Sequence, residues 1–210
     1  MFRPRLFALA GLALCGLLAA CGGRQRLDPS NYTEAAEYAF DEAEQAFGRK
    51  DYELARARFS AVYQDYPYSQ YASLAELRIA DCHYEERSYV RAAEAYRRFV
   101  RFHPTHPDVD RAQFRVAMSY VKQLPRDWFL MPPSYERELT NALSAYEALR
   151  YFLREYGSST YVPDAEQELA RVRNLLAAHE LYAAEYYLRR DNYRATASRA
   201  SYLLDEYPRS

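Results

Sequence analysis

The chain has 210 residues, with 28 basic against 29 acidic side chains and a formal charge of −1. That balance excludes a general nucleic-acid binder, which needs an excess of basic residues to displace phosphate counterions. Half of the residues are apolar, which suffices for one continuous folded core.

Arg3 and Arg5 precede an apolar run from Leu6 to Leu18. A positive start followed by an apolar stretch of this length has the form of a signal peptide. The run is too short to cross a bilayer as a helix, which takes about twenty apolar residues. Leu18-Ala19-Ala20-Cys21 closes it in a sequence that resembles a lipobox, with small residues that a signal-peptidase groove can admit. Cys15 is the other candidate, but Leu14 before it is too bulky; an ordinary signal peptide with a chance cysteine is the competing reading. On the lipobox reading, residues 1–20 are the signal, and Cys21 is the acylated first residue of the mature chain. Residues 21–31 are then a flexible tether. One acyl chain anchors only marginally, at about 0.8 kcal/mol per buried CH₂, whereas lipoproteins of this type carry three. Gly22, in place of an aspartate, points to the outer membrane. The ten residues after Cys21 reach at most about 35 Å, so the folded part works near the membrane, on its periplasmic face. Cys82 is then the one remaining thiol, and no internal disulfide can form. Its apolar helical neighbours make it a buried, inert thiol rather than a reactive one.

Residues 32–210 carry a repeat. Tyr52 leads through Ala55, Phe59 and Val62 to Tyr66-Pro67. Tyr89 leads through Ala92, Tyr96 and Phe99 to His103-Pro104, and Tyr193 through Thr196, Ala200 and Leu203 to Tyr207-Pro208. In each copy the aromatic residue and the proline stand fifteen residues apart. A looser copy runs from Ala145 through Leu149 and Phe152 to Tyr156-Gly157. This spacing puts the apolar residues on one helical face, and the proline stops each helix at a fixed point. Between the copies lie further helical stripes: Ala36, Phe40, Ala43 and Phe47, stopped by Gly48; Leu74, Leu77 and Ile79; and Phe114, Ala117, Met118 and Val121. Residues 163–190 predict one long helix with Pro163 in its first turn. The expected fold is all-α, a solenoid of about four tetratricopeptide-like helix pairs. No pair buries its apolar face alone, so stacking must do it.

Two departures stand out. The Pro104 and Gly157 landmarks are 53 residues apart, and the excess is an aromatic loop at 123–136 that holds Trp128 and three prolines. Long loops in compact domains are usually functional or disordered; this one either folds back on the solenoid or offers a contact surface. At the other departure, the last helix is expected to expose Tyr202, Leu203 or Leu204. Either a partner covers them or the chain is shorter than its relatives.

Beyond the repeat, Arg101-Phe102-His103-Pro104-Thr105-His106-Pro107 and Ala184-Glu185-Tyr186-Tyr187, followed by Arg190 and the helix through Arg199, resemble the BamD (YfiO) family of the β-barrel assembly machinery. The resemblance covers nearly everything after the signal. It implies a lipoprotein that binds the periplasmic domains of the barrel subunit BamA through its C-terminal repeats, with Arg190 and Arg199 on the BamA-facing end. Arginine suits such a place because its planar fork can pair bidentately with a carboxylate; solvated surface arginines are the plainer alternative. It also implies that the N-terminal repeats engage unfolded outer-membrane proteins, and that other assembly lipoproteins bind. Longer family members carry a fifth helix pair that this sequence does not show. Another repeat-containing envelope scaffold, linked to the cell wall or to division, is the alternative.

No catalytic constellation emerges, and no cofactor is implied beyond the lipid at Cys21. His103 and His106 have ligand-like spacing but flank prolines without an acidic or cysteine cluster. His83 and Glu86 are a surface pair on a helix. Tyrosine is abundant, 22 residues, and offers rigid amphipathic contact area. Tyr32, Tyr38, Tyr71 and Tyr161 lie off the repeat pattern or near helix starts. The first three are the candidates for a substrate groove.

Overall fold

The computed structural model describes residues 29–125, 133–137 and 139–208. The signal sequence, Cys21, most of the tether and the centre of the aromatic loop, Trp128 included, lie outside the described residues. Eight α-helices follow one another among the described residues: α1 (Pro29–Gly48), α2 (Tyr52–Asp65), α3 (Gln70–Glu85), α4 (Tyr89–Phe102), α5 (Val109–Val121), α6 (Thr140–Glu155), α7 (Val162–Leu188) and α8 (Tyr193–Glu206). A 3-10 turn, Ser134–Glu136, precedes α6. Each helix packs on the next, α1 also touches α3, and α5 touches α7. This is the solenoid of helix pairs that the repeat predicts. The first helix starts at Pro29, inside the stretch that the sequence assigns to the tether.

The repeat positions make the core. Ala55, Phe59 and Val62 of α2, Ala92, Tyr96 and Phe99 of α4, and Ala145, Leu149 and Phe152 of α6 are all buried. They fill three successive apolar clusters, one per interface. The small alanines let α1, α3 and α5 approach closely; Ala43, Ala75, Ala80, Ala112 and Ala117 are buried on the facing sides.

The turns repeat as faithfully as the helices. Lys50, Arg87 and Asp191 are left-handed, with φ of 62°, 61° and 56°. Each stands two residues before the first tyrosine of its copy. In each turn the next amide reaches back into the preceding helix: Asp51 to Ala46, Ser88 to His83, and Asn192 to Tyr187. These bonds satisfy carbonyls that a helix end leaves free. Gly48 closes α1, yet the left-handed residue is Lys50. At the far ends Tyr66, His103, Tyr156 and Tyr207 share one cap conformation, φ near −125°, with the cap amide bonded four residues back. Among the described residues the third pair shows no left-handed turn before α6. The second flank of the aromatic loop folds back on the solenoid: Tyr135 lies 5.8 Å from Tyr182, and its carbonyl is 2.5 Å from His179 Nδ1.

Candidate functional site

A buried ionic network lies at the junction of the first three pairs. The Asp81 side chain, on α3, is 7% exposed and accepts from Arg78 at 3.1 Å, Arg111 at 3.2 Å and the Tyr96 hydroxyl at 2.5 Å. Arg78 reaches on to Glu44 of α1, and Arg111 to Asp108 at 3.5 Å. Burial alone would depress the Arg111 guanidinium; Asp81 outweighs it and holds its pKa above the ordinary value. Burial, then Asp81, pushes the Tyr96 hydroxyl far up, so it stays a donor. Burial, then the Asp81 charge, also raises the neighbouring Cys82 thiol to about 12. A thiolate is therefore unavailable, and Cys82 behaves as a small apolar residue. The His83–Glu86 pair is half-buried rather than a surface pair: Glu86 is held by Arg56 at 2.5 Å, and the His83 Nδ1 stands 3.7 Å from Glu86. Burial, then Arg56, depresses the His83 pKa and keeps the ring neutral.

A cleft of about 970 Å³ opens between α2 and α4 over α3. Its apolar rim is Tyr63, Tyr68 and Phe102, and Tyr68 is 94% exposed. Its polar wall is Glu76, which is buried and pairs with Arg98 at 3.1 Å and His103 at 2.8 Å. Exposed aromatic rings beside a fixed carboxylate have the amphipathic character of a peptide- or protein-contact surface.

The second surface lies at the C-terminal end. None of the fourteen residues of α8 is buried, and Tyr193, Tyr202 and Leu204 face outward, as do Leu181 and Leu188 on α7. Leu203 is half-buried. The end of α8 is nonetheless docked: Tyr207 is buried, 5.7 Å from Tyr146 of α6. Arg199 pairs across to Glu180 of α7 at 3.1 Å, and Arg190 lies over the Tyr186 ring at 4.0 Å.

Residues 33–210 match the model of the YfiO family, described as outer membrane lipoprotein. The chain belongs to that family. Among its relatives, the outer membrane protein assembly factor BamD of Xylella fastidiosa (strain 9a5c) is 29% identical over 178 residues, 83% of this chain and 60% of the relative. The protein of the same name from Neisseria gonorrhoeae is 29% identical, over 88% of this chain and 62% of its own length. That of Vibrio cholerae is 24% identical, over 95% and 83%. The chain thus spans about three-fifths of the length of the Xylella and Neisseria relatives.

The motif that carried the YfiO resemblance has a structural reading. His103 and His106 both pack on Phe99, at 4.9 and 5.1 Å, so the Pro104-Thr105-His106-Pro107 turn wraps the end of the core. The two imidazoles are directed to different carboxylates, Glu76 and Asp108. The expected groove tyrosines do not share one place. Tyr71 packs into the first core against Phe40, and Tyr32 lies edge-on to Tyr66, its hydroxyl accepting from the Tyr68 amide at 3.4 Å. Tyr38 is 68% exposed, and none of the three lines the large cleft. Tyr161 stacks on Phe114. Arg190 and Arg199 do share the α7–α8 end. Sequence reading missed Asp81, Glu76 and Glu180. The available signal was an acid set inside an alanine-rich apolar run, as in Ile79-Ala80-Asp81-Cys82, which demands a buried cation from elsewhere in the chain.

Proposed function

We propose that the chain is a non-catalytic scaffold subunit for the assembly of outer-membrane β-barrel proteins, held at the periplasmic face of the outer membrane by lipid on Cys21. The family match along residues 33–210, with relatives named outer membrane protein assembly factors, carries this reading. Two surfaces suit its two tasks. The open α7–α8 end, with Tyr202, Leu204 and the stacked Arg190, takes the periplasmic part of a BamA-like barrel subunit. Arg199 sets that end by tying α8 to Glu180. The cleft over α3, with Tyr63, Tyr68 and Phe102, takes apolar segments of unfolded outer-membrane proteins. Tyr32 supports its rim through Tyr68, Tyr38 extends contact along α1, and Tyr71 holds α1 against α3. Other assembly lipoproteins share the remaining surface. Neither nucleic acid nor a cofactor other than the lipid belongs to this reading.

The test is purification of the tagged full chain from outer membranes in mild detergent, with mass spectrometry of what accompanies it. A barrel protein with periplasmic domains is expected in near-equal amount. Tyr202→Glu with Leu204→Glu is expected to cut its recovery about tenfold, since charge is forced into an apolar contact. Recovery of the chain alone, or with cell-wall proteins only, overturns the reading and favours a cell-wall or division scaffold.

A further inference from the structure

A second groove runs between α4 and α6, with α5 as its floor. One part, about 660 Å³, is walled by Arg97 and Arg101 of α4 and by Tyr151 and Tyr156 of α6. It continues into a space of about 400 Å³ beside Tyr120 and Ser144, and the two share Arg97, Gln113 and Tyr151. Gln113 therefore lies at the junction. It is 8% exposed as a residue, and its carboxamide opens onto the groove rather than lying sealed in the core. An amide so placed can exchange water for the polar groups of an incoming chain.

The charges around it are uneven. Arg97 and Arg101 are four residues apart on α4 and line one wall. Neither has a carboxylate partner among the described residues; their guanidiniums lie over Tyr120, at 5.2 Å, and Phe102, at 4.9 Å. Arg98, next to them, is already committed to Glu76. The acids of the groove, Glu94 and Glu147, each line one part only and are absent from the shared middle.

We propose that this groove binds an extended acidic peptide segment of a partner protein. A carboxamide offers one acceptor and two donors, which match the free N–H and C=O of an extended backbone; a helix would arrive with those groups already paired. The two arginines on one wall take carboxylate side chains by charge-assisted bonds. Tyr151, exposed, and Tyr156 cover the intervening residue on the opposite wall. A lipid phosphate fits less well, because the cations line one wall instead of converging, and the other wall carries rings. The groove shares Arg98 with the cleft over α3 but no other lining residue, and it does not depend on which assembly the chain serves.

The test is fluorescence anisotropy of a labelled twelve-residue peptide of alternating Glu and Tyr, titrated with the full chain in nonionic detergent. A Lys–Tyr peptide and phosphatidylglycerol vesicles serve as the competing ligands. The acidic peptide is expected to bind at least about tenfold tighter than the basic one. Arg97→Glu with Arg101→Glu weakens it about thirtyfold. Gln113→Leu weakens it about tenfold without changing its salt dependence, because no charge is removed. Tyr151→Ala, at an exposed position that leaves the core untouched, weakens it about fivefold, and melting curves verify each fold. Equal binding of the basic peptide overturns the proposal. So does unchanged affinity in the arginine variant, or in both the Gln113 and Tyr151 variants. Arginine-dependent binding of the vesicles alone would make the groove a membrane site instead.

Discussion

The helices α2, α4 and α6 and the helix α8 share one sequence pattern and one end geometry, yet they live in different surroundings. Phe59, Phe99 and Phe152 are completely buried, whereas in the matching stretch of α8 Ala200 is exposed and Thr196 and Leu203 are half-buried. The difference does not come from the helices themselves. α2, α4 and α6 each pack on a helix before and a helix after them, whereas α8 packs on α7. Among the described residues no helix follows α8. Local pattern sets the fold of each repeat; its neighbours decide how much of it leaves water.

The same contrast appears in the ion pairs. Asp81 is buried with two arginines and a hydroxyl, while the equivalent cross-helix pair at the far end, Glu180–Arg199, has an arginine side chain that is 46% exposed. Asp81→Ala is expected to lower stability by about 3–5 kcal/mol, because Arg78 and Arg111 lose a buried partner. Glu180→Ala should cost about 1 kcal/mol or less, because water screens the pair; urea unfolding of both variants compares them directly. Phe99→Ala should cost about 3–5 kcal/mol through the cavity it leaves. Leu203→Ala should cost about 1 kcal/mol, and amide exchange in α8 should be the fastest of the eight helices. Equal losses from Phe99→Ala and Leu203→Ala would erase the distinction between the two regions. At the turns the effect is smaller and of opposite sign. Arg87→Gly relieves a left-handed side chain and should raise stability by about 0.5–1 kcal/mol, with Asp191→Gly giving less because aspartate tolerates that conformation better. Thermal melts of the two variants order them.

The repeat was legible because its cause is local. A tyrosine, a small residue, two large apolar residues and a proline fix where each helix starts, which face it buries and where it stops. The long α7 followed from Pro163 and an uninterrupted apolar pattern. The left-handed turns were not legible, because Lys50 and Arg87 carry no preference for that conformation and Asp191 only a weak one; tertiary closure of the pair imposes it. Nor were the two distant partners of Asp81, Tyr96 and Arg111, which come from positions 15 and 30 residues further on and which only the stacking of α3, α4 and α5 selects. Tyr71 misled for the same reason: a tyrosine outside the repeat pattern is still drawn inward when Phe40 waits beside it. Arg190 and Arg199 were singled out by resemblance alone, and their intramolecular contacts with Tyr186 and Glu180 had no counterpart in periodicity.

The Asp81 network also has a mechanical meaning. A stack of helix pairs held only by contacts between neighbours flexes a little at every interface, like a pile of plates. Through Arg78 and Arg111, and through Tyr96, one carboxylate fastens α1, α3, α4 and α5 to each other. The first two pairs and the start of the third therefore bend as one stiff segment. Flexure is left to the region from α6 onward, so a load applied at the open end is taken up there before it reaches the cleft over α3.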